Sequence, residues 1–162
     1  SGYRVYRSTS KDGTYKLVAD LSGSSKTSYT NKNLSPGKTY YYKVRAYKKV
    51  GSNRDYGSYS SKLKASTKCN TPVISTISKD KGKAKITWKK VSGASGYAIY
   101  RSTSKNGSYQ KIKTLKSGST LSFTDTNLKS KKTYYYKVKA YKSADMGNVY
   151  SAYSTMKSVK VK

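Results

Sequence analysis

Along residues 83–88, apolar Ala84, Ile86 and Trp88 alternate with Lys83, Lys85 and Thr87. A period of two puts one set on each side of an extended chain, so this stretch predicts a strand with one face buried. The same alternation recurs along the chain, and no stretch carries a helical period. Val73 and Ile74 after Pro72 predict a short first strand. Tyr97 and Ile99 mark the third, Tyr109 to Leu115 the fourth, and Leu121 with Phe123 the fifth. Thr133 to Tyr141 form the sixth, with Tyr134, Tyr136, Val138 and Ala140 on one face. Residues 149–162 contain the last. Asn106-Gly107 predicts a tight hairpin, because both central residues of a type I′ turn need positive φ. Asp12-Gly13 predicts the same earlier in the chain.

That pattern occurs twice. Residues 1–68 align with 95–162 at a constant offset of 94, and 31 of the 68 pairs are identical. Such a period is too long for a solenoid repeat and suits a whole small domain. The expected organisation is a partial module over 1–68, a short linker at 69–72 stiffened by Pro72, and a complete module over 73–162. The first copy begins at the third strand, so its two N-terminal strands are missing. Its core face, with Tyr3, Val5, Tyr40, Tyr42 and Val44, then needs either a strand-supplying partner chain or a preceding segment.

Seven short strands with frequent turn signals indicate an all-β antiparallel sandwich. Leu128 followed by Tyr134, and Leu34 by Tyr40, fit a tyrosine corner, in which the ring hydroxyl bonds the backbone upstream. With Trp88, Gly96-Tyr97-Ala98-Ile99-Tyr100-Arg101-Ser102, Phe123 through Leu128 and Tyr150-Ser-Ala-Tyr153-Ser, the chain resembles fibronectin type III domains. The resemblance is to the lysine- and tyrosine-rich kind of Gram-positive secreted and surface proteins. It implies two tandem immunoglobulin-like β-sandwiches and an extracellular, secreted or wall-associated location. No Arg-Gly-Asp motif is present, so integrin binding is not implied.

Composition narrows the chemistry. The chain has 19 tyrosines, few large aliphatic residues and no histidine. Tyrosine must therefore supply much of the core. The net charge of +29 divides into +12 over 1–68 and +17 over 69–162, with no basic tail. A surface so positive attracts polyanions over roughly 8–10 Å at ordinary salt. The expected partners are anionic cell-wall polymers, acidic glycans or a protein, with nucleic acid only as a non-specific ligand. The carboxylates Asp12, Asp20, Asp55, Asp80, Asp125 and Asp145 are scattered, and one cysteine, Cys69, without histidine cannot build a zinc site. No cofactor, metal or catalytic residue is expected. No run approaches the length of a membrane span.

The candidate site is a sheet face. If Tyr40, Tyr42 and Val44 point inward, then Tyr41, Lys43, Arg45 and Tyr47 point outward, joined by Arg4 and Tyr6 of the neighbouring strand. The second copy contributes Tyr100, Tyr135, Lys137, Lys139 and Tyr141. Interleaved rings and cations can stack on sugars or bases while pairing with anionic groups. They can equally stabilise their own sheet. The expected function is a non-enzymatic spacer and adhesion module pair of a larger bacterial extracellular protein. Alternatives are a dedicated glycan- or protein-binding module, or accessory domains of a secreted hydrolase.

Overall fold

Alternating apolar and aromatic side chains give the longer strands one apolar face, and antiparallel pairing joins these faces into sheets. A computed structural model describes residues 1–144 and 147–162. Among them there is no helix, and the chain divides into two units, Ser1–Thr67 and Lys68–Lys162.

Unit 2 is a two-sheet sandwich. β6 (Ile74–Asp80), β7 (Lys83–Trp88) and β10 (Ser122–Asp125) form one sheet, in the order β10-β7-β6. The other runs β12-β11-β8-β9, with β8 (Gly96–Ser102), β9 (Gln110–Leu115), β11 (Thr133–Ala144) and β12 (Gly147–Tyr150). β13 (Lys157–Lys160) also pairs with β11. All pairs are antiparallel. Ala84, Ile86 and Trp88 of one sheet close over Tyr97, Ile99, Tyr136 and Val138 of the other. The Trp88 and Tyr97 rings lie 5.3 Å apart at 58°. The first strand is longer than the sequence suggests, because polar Thr76, Ser78 and Lys79 stay in register with β7 beyond a bulge at Ser75. Cys69 and Pro72, expected in a linker, are buried, Cys69 within the unit 2 core.

Unit 1 is a single sheet. β1 (Gly2–Ser8), β2 (Lys16–Ser22), β3 (Thr39–Val50) and β4 (Asn53–Tyr56) run β2-β1-β3-β4, and β5 (Leu63–Ser66) also pairs with β3. These are the counterparts of β8, β9, β11, β12 and β13. Residues 28–31, the counterparts of β10, form no strand. A strand needs a ladder partner, and nothing in unit 1 corresponds to β7.

Both tyrosine corners are present. The Lys129 N–H donates to Tyr134 Oη at 3.0 Å, and the Ser35 N–H to Tyr40 Oη at 3.1 Å. The turn before each is made by an asparagine with positive φ, Asn127 at 58° and Asn33 at 57°. Asparagine tolerates this conformation better than most residues.

The expected type I′ hairpins are not formed. Asp12, Gly13, Asn106 and Gly107 are absent from the residues with positive φ. The loops are wider, spanning 9–15 and 103–109. Each is closed by its own side chains: Tyr15 and Tyr109 hydroxyls donate to the Lys11 and Lys105 carbonyls at 3.0 Å. The glycine is needed for space instead, since a Cβ at Gly107 would lie 2.9 Å from Ser104 Cβ.

Candidate functional site

One edge of each main sheet is interrupted, β12/β13 in unit 2 and β4/β5 in unit 1, and the interruption shapes the outer face. Between β12 and β13 the Ser151 and Ser154 N–H groups donate to the Ala140 and Val138 carbonyls, each at 2.8 Å. Their hydroxyls return the favour, accepting from the Ala140 and Val138 N–H groups at 3.0 Å. Serine side chains thus replace the missing strand carbonyls. Unit 1 does this at Ser60, whose N–H and Oγ hold Val44 O and N at 2.8 and 3.0 Å. The tyrosines between these anchors lie over the outer face.

In unit 1, the Arg45 guanidinium sits 3.9 Å from the Tyr56 ring centre and 4.9 Å from that of Tyr59. It also donates to Tyr6 Oη at 2.9 Å. Lys43 Nζ lies 3.7 Å from the Tyr59 centre, and Tyr6 meets Tyr59 edge-on at 5.3 Å. Arg4 is 5.1 Å from the Tyr56 centre and donates to Asp20 at 3.0 Å. Burial opposes ionisation of Tyr6, but hydrogen bonds from Arg45 and Arg4 outweigh it and hold its hydroxyl below the ordinary tyrosine value.

Unit 2 repeats the arrangement with lysines. Lys137 Nζ stands 4.0 Å from the Tyr109 centre and Lys139 Nζ 4.0 Å from that of Tyr153. Tyr100 packs edge-on against Tyr153 at 4.9 Å. Here burial and the neighbouring Tyr153 raise the Tyr100 hydroxyl.

Each unit therefore gathers its share of the expected residues on one face. Arg4, Tyr41, Lys43, Arg45, Tyr100, Tyr135, Lys137 and Lys139 are half-buried there. Tyr6, Tyr47 and Tyr141 are buried and offer no ring to a ligand. Tyr47 and Tyr141 each lie across a cross-strand glycine, Gly2 and Gly96. A Cβ at Gly96 would come within 2.6 Å of Tyr141 Oη, which donates instead to the Leu115 carbonyl at 3.2 Å. Besides Tyr56 of β4, at 37 %, the exposed rings of this face are Tyr59, at 42 %, and Tyr153, at 41 %. Strand parity could not find them, because they sit in the strand break. Their signal was the repeat, since Tyr15, Tyr56 and Tyr59 return as Tyr109, Tyr150 and Tyr153.

The acidic groups are dispersed. Asp12 pairs with Lys62 at 2.8 Å, and Asp20 with Arg4 and Arg54. Asp125 accepts from Tyr136 Oη at 2.8 Å and from Arg101 at 3.0 Å. Asp145 lies outside the described residues. Among the described residues no three His, Cys, Asp or Glu side chains cluster, and no helix is long and apolar enough to cross a membrane. Burial raises the Cys69 thiol.

The chain is similar to a two-domain fibronectin type III segment of chicken tenascin, with a TM-score of 0.59, 19% identity and coverage of 99% of this chain and 85% of that one. The chain has the fibronectin type III fold. No family model matches it. Exoglucanase B of Cellulomonas fimi is 31% identical over 176 positions, covering 100% of this chain and 14% of that protein. Amylopullulanase of Thermoanaerobacterium saccharolyticum is 41% identical over 59 residues, covering 36% of this chain and 4% of that protein. The chain thus spans a small fraction of the length of these relatives.

Proposed function

We propose that this chain is a non-catalytic pair of fibronectin type III modules from a larger bacterial extracellular protein that acts on polysaccharide. In it the modules serve as spacers, and their basic surface adds low-specificity adhesion to anionic polymers. One observation carries the reading: exoglucanase B is similar to the chain along all of it, in only 14% of the enzyme's length. That is the size relation of an accessory segment to its enzyme. It moves the accessory reading ahead of a dedicated glycan- or protein-binding module. The net charge of +29 supports the adhesive part, because exposed lysines surround both units and attraction to a polyanion is long-ranged at low salt. Wall polymers and acidic glycans are the expected ligands, and nucleic acid would bind only by its phosphates.

The test is retention on immobilised teichoic acid, heparin and uncharged glucan. Retention on both anionic resins at about 50 mM salt, lost at about 500 mM, is expected. No retention at the lower salt refutes the adhesive part. Release of sugar from glucan or starch by the purified chain refutes the non-catalytic part.

A second reading, direct recognition of a glycan by the outer face, is favoured by the repeated exposure of Tyr59 and Tyr153 beside Lys43 and Lys139. It requires salt-resistant binding that the combined Tyr59→Ala and Tyr153→Ala substitutions abolish. Binding that also survives Tyr41→Ala with Tyr135→Ala refutes it.

A further inference from the structure

Both outer faces are ladders of alternating cations and rings, but only that of unit 1 ends in carboxylates. Its ladder runs from Arg4 over Tyr56, through Arg45 and Tyr59, to Lys43, which lies 4.8 Å from the Tyr15 ring centre. At one end Asp20 accepts from both Arg4 and Arg54. At the other, Lys62 lies 6.0 Å from the Tyr15 centre and donates to Asp12. Hydrogen bonds from Arg54 and from Lys62 hold these two carboxyls below the usual carboxylate range, so both stay charged. In the middle, Arg45 directs two of its nitrogens at Tyr6 Oη. An anion arriving here must displace a carboxylate from cations that already hold it.

Unit 2 keeps the middle of the ladder and lacks its ends. Arg4, Asp20 and Arg54 are replaced by Ala98, Thr114 and Asn148, and Asp12 and Lys62 by Asn106 and Met156. What remains is Lys137 over Tyr109 and Lys139 over Tyr153, with Lys137 Nζ also 5.6 Å from the Tyr153 centre. Among the described residues, neither ammonium has a carboxylate or a hydrogen-bond acceptor as partner. The two lysines stand two residues apart on β11, on the same side and about 6.7 Å apart along the strand. Beside them Tyr153 is among the exposed rings. Two unclaimed charges and an open ring thus lie side by side in unit 2.

We propose that the outer face of unit 2 binds acidic polysaccharide, with Lys137 and Lys139 each taking a uronate carboxylate and the open side of Tyr153 packing against a pyranose ring. The inference rests on the adhesive reading above, which it narrows to one face and one ligand class. A lysine ammonium is a compact charge with three donors, so with no protein partner to displace it can take a carboxylate directly. A polyanion without sugar rings gains the charges but not the contact with Tyr153. A base stacking flat on Tyr153 beneath Lys139 would push the lysine off that ring and away from the phosphate it should meet. Unit 1 presents more cations, yet Asp12 and Asp20 already answer them, so its face takes the same ligand more weakly.

The test is titration of the isotope-labelled intact chain with a short galacturonic acid oligomer at about 50 mM salt, followed by amide resonances. Shifts are expected at residues 135–139 and 153, and not at 41–45 and 59. Lys137→Gln combined with Lys139→Gln should weaken binding at least tenfold, and so should Tyr153→Ala alone. Asp20→Asn gives the converse: by releasing Arg4 and Arg54 it should bring residues 41–45 into the response. The methyl-esterified oligomer and a polyphosphate of equal charge should both bind at least tenfold more weakly than the uronate. Equal shifts in both units overturn the proposal and leave general adhesion standing. So does a chain that ignores the uronate yet is retained on teichoic acid. A chain that binds no anionic probe overturns both. Polyphosphate or single-stranded DNA bound as tightly as the uronate overturns the assignment to a sugar. If Asp20→Asn leaves unit 1 unresponsive, carboxylate occupancy is not what separates the faces, and the proposal falls with it.

Discussion

Val44 and Val138 occupy the same place in the two copies, and they should respond differently to truncation. Val138 is fully buried between the sheets of unit 2, whereas Val44 borders the open groove of unit 1. Val138→Ala removes two methyl equivalents from a closed core. At about 0.8 kcal/mol each the transfer loss is about 1.6 kcal/mol, and the cavity left behind raises the cost to about 2–3 kcal/mol. At Val44 the side chain is already half in water, and the groove wall can move inward or wet. The expected cost there is below about 1 kcal/mol. The chain provides its own reporter, because Trp88 is its single tryptophan and is buried in unit 2. Urea unfolding followed by indole fluorescence reads unit 2. With a slope of about 1.5 kcal/mol per M, Val138→Ala should lower its midpoint by about 1.5 M. Val44→Ala should leave that transition in place and slightly accelerate amide exchange in β1 and β3. An equal or larger loss at Val44, or a midpoint shift below about 0.5 M for Val138→Ala, would refute the account of one covered and one open face.

Three further outcomes follow from the contacts described. Ser154→Ala strands the buried Val138 N–H without its acceptor, and should lower unit 2 stability by about 1–2 kcal/mol in the same urea assay. Gly96→Ala would place a Cβ 2.0 Å from the Leu115 carbonyl, so unit 2 should lose about 3 kcal/mol; a midpoint unchanged from the parent would show the strands can part freely. Tyr136 gives a pH dependence. Burial first, then its bond to Asp125, raises its hydroxyl well above the ordinary tyrosine value, so the folded state keeps a proton that the unfolded chain releases. That contribution is complete below about pH 10 and declines as the pH rises further. Urea midpoints between about pH 9 and 11.5 should fall steeply in the parent and less steeply in Tyr136→Phe; identical slopes would remove Tyr136 from the explanation.

Much of the fold was legible because its signals are local. Ala84, Ile86 and Trp88 announce β7 by period alone, and the Leu128–Tyr134 spacing marks a corner that the Lys129 N–H completes. The offset of 94 carried β8, β9, β11, β12 and β13 onto β1, β2, β3, β4 and β5. What was illegible depended on partners distant in sequence. Residues 28–31 resemble 122–125, yet only the latter meet a β7. Asn106-Gly107 looks like a two-residue turn, but the hydroxyls of Ser102 and Tyr109 stabilise a longer loop. On the outer face, parity sorted Lys43, Arg45, Lys137 and Lys139 correctly to one side. It could not foresee that Tyr59 and Tyr153 would fold back over them, since a strand break obeys no period.

That broken edge has a consequence for behaviour at high concentration. An uninterrupted terminal strand offers a row of free N–H and C=O groups on which another molecule can add. Here β12 and β13 are separate four-residue pieces, as are β4 and β5, and the chain between them turns serine hydroxyls and backbone amides inward. No stretch on that border is long enough to template a continuous strand. Along this border the tyrosine-rich sheets thereby present a discontinuous margin to their neighbours, while the opposite edges, β2 and β9, remain unbroken.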